Sequence, residues 1–274
     1  MMPPIVDCHA HVLEPSRFPF VEGAGYRPRP DEVGTLARFD ETLRAHGVGR
    51  ALVVQPSGYG TDNACLLDAL ERSGGRFRGI AVIDWAVSER DLLELKRRGV
   101  VGVRLNLPRS GADLLSRPGA RDLLERVAAL DWLVQVYAGA DMWVAIEPIL
   151  RQSGVTVLID HMGEPNPARG LAHPGFQAVL RLGREAGAVV KLSAPYRVSA
   201  RPFPHEDVAP FVTALLDAFG PDRCVWGSDW PFLASPAPVD YGRMLEWLGR
   251  WVPDPVTRTL VLRENPARLF GFAD

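Results

Sequence analysis

Four residues carry side chains that could act together on one substrate: His9, His11, His161 and Asp229. The first two end the run Ile5-Val6-Asp7-Cys8-His9-Ala10-His11, whose short apolar lead reads as a buried strand. Alternation along a strand would point Asp7, His9 and His11 the same way. Two imidazoles at i, i+2 can converge on one metal ion. They can also serve as donors that polarise a substrate carbonyl. A pair merely hydrogen-bonded within a core is the plain alternative, and the other strand ends decide between these readings.

The elements that must position these residues alternate regularly. Strands are expected at about 5–11, 50–55, 79–83, 101–106, 132–137, 156–161, 188–193 and 224–229. Helices are expected at 31–46, with Asp31 as cap, and at 61–73, 88–99, 118–130, 141–152, 174–186 and 206–219, before a helical tail. The strands are short, β-branched and apolar, as parallel strands covered by helices are. No GxGxxG follows the first strand and no Walker sequence occurs, which argues against an open nucleotide-binding sheet. The expectation is α/β, a (β/α)8 TIM barrel forming one domain over residues 1–274 with a C-terminal helical extension. The Pro-, Gly- and aromatic-rich segment 12–31 reads as a lid or pocket wall.

Composition narrows the function. Hydrophobic residues make up 47% and charged residues 23%, and the net charge is −2. That leaves no basic field for nucleic acid or an anionic membrane, so an anionic ligand must be met by locally placed arginines. Three scattered cysteines without CxxC fit reduced thiols and a cytoplasmic location. Met1-Met2-Pro3-Pro4 lacks a signal-peptide core, and no apolar run approaches the ~20 residues of a membrane span.

In such barrels chemistry sits at the C-terminal strand ends. Here those ends offer His9 and His11, Ser57, Asp84, Arg104 and Asn106, Tyr137, Asp160 and His161, Lys191 and Ser193, and Asp229. Caps or loop bonds explain Ser57, Asp84 or Asn106 singly. They do not explain three histidines and an aspartate in these slots. A carboxylate amid imidazoles can take a proton from water and return it to a leaving oxygen. Arginine binds a carboxylate with a two-pronged fork, and Arg104, Arg109 and Arg197 all lie near strand ends.

The chain resembles the amidohydrolase superfamily through HxH at strand one, Asp160-His161-Met162-Gly163, and Trp226-Gly227-Ser228-Asp229-Trp230-Pro231. The resemblance covers essentially the whole chain. It is strongest to the TIM-barrel branch of 2-pyrone-4,6-dicarboxylate lactonase, sugar-acid lactonases and lactone isomerases. Gln55-Pro56-Ser57, Gly102-Val103-Arg104, Val134-Gln135-Val136-Tyr137 and Lys191-Leu192-Ser193 with Tyr196-Arg197 carry that part. The resemblance implies a hydrolase that opens a carboxylate-bearing lactone. Asp229 would activate water, and His9, His11 and His161 would polarise the carbonyl. It also implies substrate contacts for Arg104, Arg109, Arg197, Tyr26, Ser57 and Tyr137, and a small anionic lactone as the partner.

The pyrone lactonase implies this constellation working without a metal, so no required cofactor is the expectation. The alternative is one divalent ion, Zn2+, on His9, His11 and Asp229. Lactone isomerisation on the same site and metal-dependent decarboxylation of an aromatic or muconate-type acid are the rival activities. A catalytically idle barrel would show gaps in the set, and none is visible. One departure stands out: the pyrone lactonase pattern calls for arginine after His161-Met162-Gly163, where this chain has Glu164. A glutamate there repels a carboxylate and accepts from hydroxyls, pointing to a lactone with fewer carboxylates and more hydroxyls. The bland alternative is that Glu164 faces solvent or pairs with Arg169.

Overall fold

The computed structural model describes residues 2–23 and 26–272. Its strands are β1 (Ile5–Ala10), β2 (Val48–Val54), β3 (Phe77–Ala81), β4 (Val100–Asn106), β5 (Leu133–Tyr137), β6 (Thr156–Ile159), β7 (Val189–Ser193) and β8 (Cys224–Gly227). Each pairs in parallel with the next in chain order. The ring closes where β8 meets β1. Asp229 N donates to His9 O and His11 N to Trp230 O, both at 2.8 Å. The fold is a (β/α)8 barrel, extended by the helix Tyr241–Trp251 and a helical run from Pro255 to Leu269.

Helices Leu36–Ala45, Ala64–Arg72, Glu89–Arg97, Ala120–Ala129, Trp143–Gln152, Pro174–Ala186 and Ala209–Phe219 cover the outside. Local chemistry sets their ends: Ser88 Oγ accepts from Asp91 N, and Gly187, with φ +63°, stops the Pro174–Ala186 helix. Asp31 is not a cap as expected. It lies in the single turn Pro30–Glu32, and Thr35 Oγ1 accepts from Arg38 N instead. The segment between β4 and Ala120 also holds turns at Leu107–Ser110 and Ala112–Ser116 that periodicity did not reveal.

Two apolar layers result from strand alternation. One lies between strands and helices and includes Phe39, Trp143 and Trp226. The other fills the barrel axis with Val6, Cys8, Leu52, Val54, Ile80, Leu133, Leu158, Val189 and Val225, and Phe270 and Phe272 cap its lower end. Above this plug the inward positions turn polar, with Gln135 and Lys191 each two residues after an inner-layer residue. The three cysteines are buried and free. No helix among the described residues is long and apolar enough to cross a membrane.

Candidate active site

Strand β1 does not alternate cleanly. Val6 and Cys8 belong to the inner layer but Ala10 to the outer one, and the pairing with β2 is irregular between Asp7 and Ala10. This slip turns His9 and His11 inward and separates them from Asp7, so the three residues do not share a face as expected. Asp7 instead braces β1 against the β8 loop. Its carboxylate accepts from His9 N (3.1 Å), Ser228 N (2.9 Å), Ser228 Oγ (2.6 Å) and Tyr241 OH (3.0 Å). Gly227 completes the joint, because a Cβ there would lie 2.7 Å from the His9 Cβ.

That joint brings Asp229 beneath three imidazoles. Asp229 Oδ1 lies 3.6 Å from His9 Nε2, 3.9 Å from His161 Nε2 and 4.0 Å from His11 Nε2. Its other oxygen accepts from Tyr196 OH at 2.5 Å and Arg197 Nε at 2.7 Å. Oδ1 is buried and takes no hydrogen bond among the described residues. Burial alone would raise the Asp229 pKa, but Arg197 and then the imidazoles outweigh it and hold the carboxylate below its ordinary range. Asp229 (φ +68°) and His161 (φ +49°) both sit in the left-handed region, which is backbone strain concentrated at reactive residues.

A carbonyl partner assigns the proton of one imidazole. His11 Nδ1 lies 2.7 Å from Val54 O, which can only accept, so His11 Nε2 presents a lone pair. His9 Nε2 faces that lone pair at 3.3 Å. His161 Nδ1 is held by Ser193 Oγ at 2.9 Å. Beneath His9 lies a buried charge network of partners that the sequence did not pair. Lys191 Nζ donates to Gln135 Oε1 (2.7 Å) and lies 3.1 Å from His9 Nδ1 and 3.2 Å from Asp160 Oδ1. Asp160 also accepts from Gln135 Nε2 at 2.8 Å and pairs with Arg104 Nε at 3.7 Å. Desolvation works against the Asp160 charge, but Lys191 and His9 overcome it and hold the carboxyl well below the usual range. Lys191 is itself lowered by burial. A lysine within the apolar strand β7, two residues from Ser193, was the available signal for this network.

Above the four residues is a cavity of about 240 Å³. His11, His161, Asp229, Tyr26, Ser57, Arg104, Arg109, Tyr137 and Arg197 all line it, so of the residues expected to act on or bind the substrate all but His9 reach its wall, while the strand-end residues Asp84, Asp160, Lys191 and Ser193 do not. His9 lies just beneath. Arg104 and Arg109 have donors to spare, since Arg104 makes one hydrogen bond, to Gln55 O at 3.3 Å, beside the longer ion pair of its Nε with Asp160, and Arg109 makes no ion pair among the described residues. Arg197 is committed to Asp229 and Leu233 O. Ser57 Oγ accepts from Asn106 Nδ2 at 3.0 Å, and Tyr26 OH donates to Glu32. The wall formed by segment 12–31 includes Tyr26, while its Ala24 and Gly25 lie outside the described residues. Asp84 only caps a turn, through Ala86 N. Arg169 pairs with Asp141 rather than Glu164.

Could the site hold a metal? The donor atoms of His9, His11 and Asp229 lie within 4.8 Å of one another, and the unbonded, buried Asp229 Oδ1 is one of them. His9 Nδ1 can donate to Asp160 Oδ1, 3.2 Å away, which would free Nε2 as a ligand. Two imidazoles and a carboxylate suit one divalent ion such as Zn2+, which when bound would supply Lewis-acid polarisation. The residues fit such an ion.

Burial, above all, keeps the imidazoles neutral, lowering His161 to about 4, His11 to about 3, and His9 well below its ordinary value. An unfolded histidine binds its proton near pH ~6.5, so acid favours unfolding, and this stability is full above that pH and lost as it falls towards pH ~4 and ~3. Asp7, raised by burial to about 6, opposes this weakly over part of the window. Chelator-treated protein should therefore lose several degrees of Tm between about pH 7 and pH 5. A flat Tm would contradict buried neutral imidazoles.

The chain matches the family described as Amidohydrolase over residues 6–272. It is 34% identical to the 4-sulfomuconolactone hydrolase of Hydrogenophaga intermedia, across 99% of this chain and 90% of that one. It is 32% identical to the 2-pyrone-4,6-dicarboxylate hydrolase of Comamonas testosteroni, across 97% and 89%. A crystal structure of a "probable" 2-pyrone-4,6-dicarboxylic acid hydrolase from Acinetobacter baumannii, with citric acid bound, superposes with a TM-score of 0.89. It is 31% identical and covers 98% of this chain and 100% of that one.

Proposed function

The chain belongs to the amidohydrolase family and is a hydrolase, and on that premise we propose that it hydrolyses the ring ester of a small, carboxylate-bearing lactone. The observation that carries this reading is the unbonded Asp229 Oδ1 among three imidazoles, beneath a cavity lined by two under-used arginines. Water between Asp229 Oδ1 and the His11 Nε2 lone pair has two acceptors for its protons, and Asp229 takes one as the oxygen attacks. His161, steadied by Ser193, donates to the carbonyl oxygen as it becomes an oxyanion. His11 thus moves from the expected donor role to an acceptor role, while His9 links Asp229 to the Lys191 charge. Asp229 then returns the proton to the leaving ring oxygen. A carboxylate pKa held this low makes a weak base in the free enzyme. The negative charge of a bound anionic lactone raises its proton affinity.

Arg104 and Arg109 meet the substrate carboxylate. Arg104→Met should weaken binding of a carboxylate lactone by a few kcal/mol, the scale of a buried charge-assisted pair, and barely affect a neutral one. Equal losses on both, measured as kcat/KM, would mean that Arg104 holds the barrel rather than the ligand. The reaction itself is tested by acid release from a panel of lactones, before and after chelation. Acid release that survives chelation supports the reading without a required metal. Stoichiometric metal with chelator-sensitive turnover overturns that part, and release of CO2 in place of acid favours the decarboxylase.

A further inference from the structure

Tyr137 ends β5 and lines the cavity, and its hydroxyl donates to Glu164 Oε1 at 2.7 Å. A phenol has one proton, and burial together with Glu164 raises the Tyr137 pKa, so the proton stays on the phenol. With that proton spent on Glu164, the phenol oxygen can offer a ligand only lone pairs. Glu164 is fixed behind it. Its backbone is left-handed (φ +45°, ψ +58°), and its N–H donates to His161 O at 2.9 Å. The glutamate makes no ion pair among the described residues, since Arg169 is taken by Asp141 and Arg197 by Asp229. Cationic donors lie close by, with the Arg104 guanidinium 5.8 Å from the centre of the Tyr137 ring. The cavity therefore has a donor wall of Arg104 and Arg109 and an acceptor wall of Tyr137 backed by Glu164.

We propose that Tyr137 and Glu164 form an acceptor subsite that seats a hydroxyl of the lactone and rejects a carboxylate. This rests on the lactonase reading and narrows its substrate class to a hydroxylated lactone with a single carboxylate, of the sugar-acid type. A ligand hydroxyl donates to the phenol oxygen. A carboxylate there would meet the phenol lone pairs with no proton between the two oxygens, the phenol proton being held by Glu164, and with a second negative charge behind them. Selectivity comes from the unpaired arrangement it imposes on the wrong ligand as much as from the bond made to the right one.

The test measures kcat/KM on a galactarolactone and on 2-pyrone-4,6-dicarboxylate, with calorimetric Kd values for galactonate, a hydroxy acid with a single carboxylate, and the pyrone. It uses the wild type, Tyr137→Phe and Glu164→Arg. The wild type should favour the hydroxylated lactone by about tenfold or more, Tyr137→Phe should erase most of that preference, and Glu164→Arg should shift it towards the dicarboxylate by about 100-fold. Efficient wild-type hydrolysis of the dicarboxylate that arginine does not improve overturns the subsite. So does an equal loss on both substrates in the variants. If neither lactone is opened, the lactonase reading fails, and the Kd values decide the subsite alone. Galactonate preferred by the wild type and not by Glu164→Arg upholds it, and no such change refutes it.

Discussion

Replacing Asp229 by asparagine should lower kcat by about 1000-fold or more, the upper range for loss of a positioned base, while the chain stays folded. The geometry makes this substitution sharper than a simple loss of charge. Tyr196 OH and Arg197 Nε both donate to one oxygen of Asp229. The asparagine carbonyl must turn to meet those two donors, and the amide NH2 then occupies the position of Oδ1 among the imidazoles. An amide nitrogen cannot accept the proton of an attacking water. Binding of a hydroxy-acid product, which depends on the arginine wall, should change only a few-fold. Turnover above roughly a tenth of wild type would exclude Asp229 as the base.

The second large effect is expected at Lys191, and it concerns stability first. Lys191 is fully buried, and its ammonium has three partners, Gln135, His9 and Asp160. Lys191→Met would leave Asp160 ionised in the barrel interior with only one more distant cation, Arg104, and the neutral donors Gln135 and His9 near it. Breaking one side of a buried ion pair costs about 3–5 kcal/mol. Calorimetry should therefore show a Tm lower by roughly 10 °C, given a few degrees per kcal/mol in a chain of this size. Adding Asp160→Asn removes the stranded charge and should restore part of the loss, a coupling that a double-mutant cycle reads directly. Additive losses would mean that Lys191 merely fills space.

Much of this architecture was legible because it rests on local chemistry. Strand and helix alternation followed from short β-branched runs and from stops such as Gly187, and the Pro174–Ala186 helix falls where its proline and glycine place it. His161 and Asp229 were recognisable because each follows a strand end. The irregularity in β1 was hidden, since Asp7, His9 and His11 read as perfect alternation while the inner layer runs Val6, Cys8, His9. The partners of the reactive groups were hidden for another reason. Lys191 and His9 lie 182 residues apart, and Tyr196 and Asp229 33 apart, so only barrel closure brings them together. The commitment of the Tyr137 proton to Glu164 belongs to the same class, as a fact of three-dimensional contact between the end of β5 and the loop after β6.

The most direct test is turnover of a carboxylate-bearing lactone in H2(18)O, read by mass spectrometry of the product. Hydrolysis at the carbonyl predicts one heavy oxygen in the new carboxylate of each ring-opened product molecule, and none formed by Asp229→Asn above the uncatalysed background. Conversion without label would instead mean isomerisation, and labelling at equal rates in wild type and variant would contradict the role of Asp229.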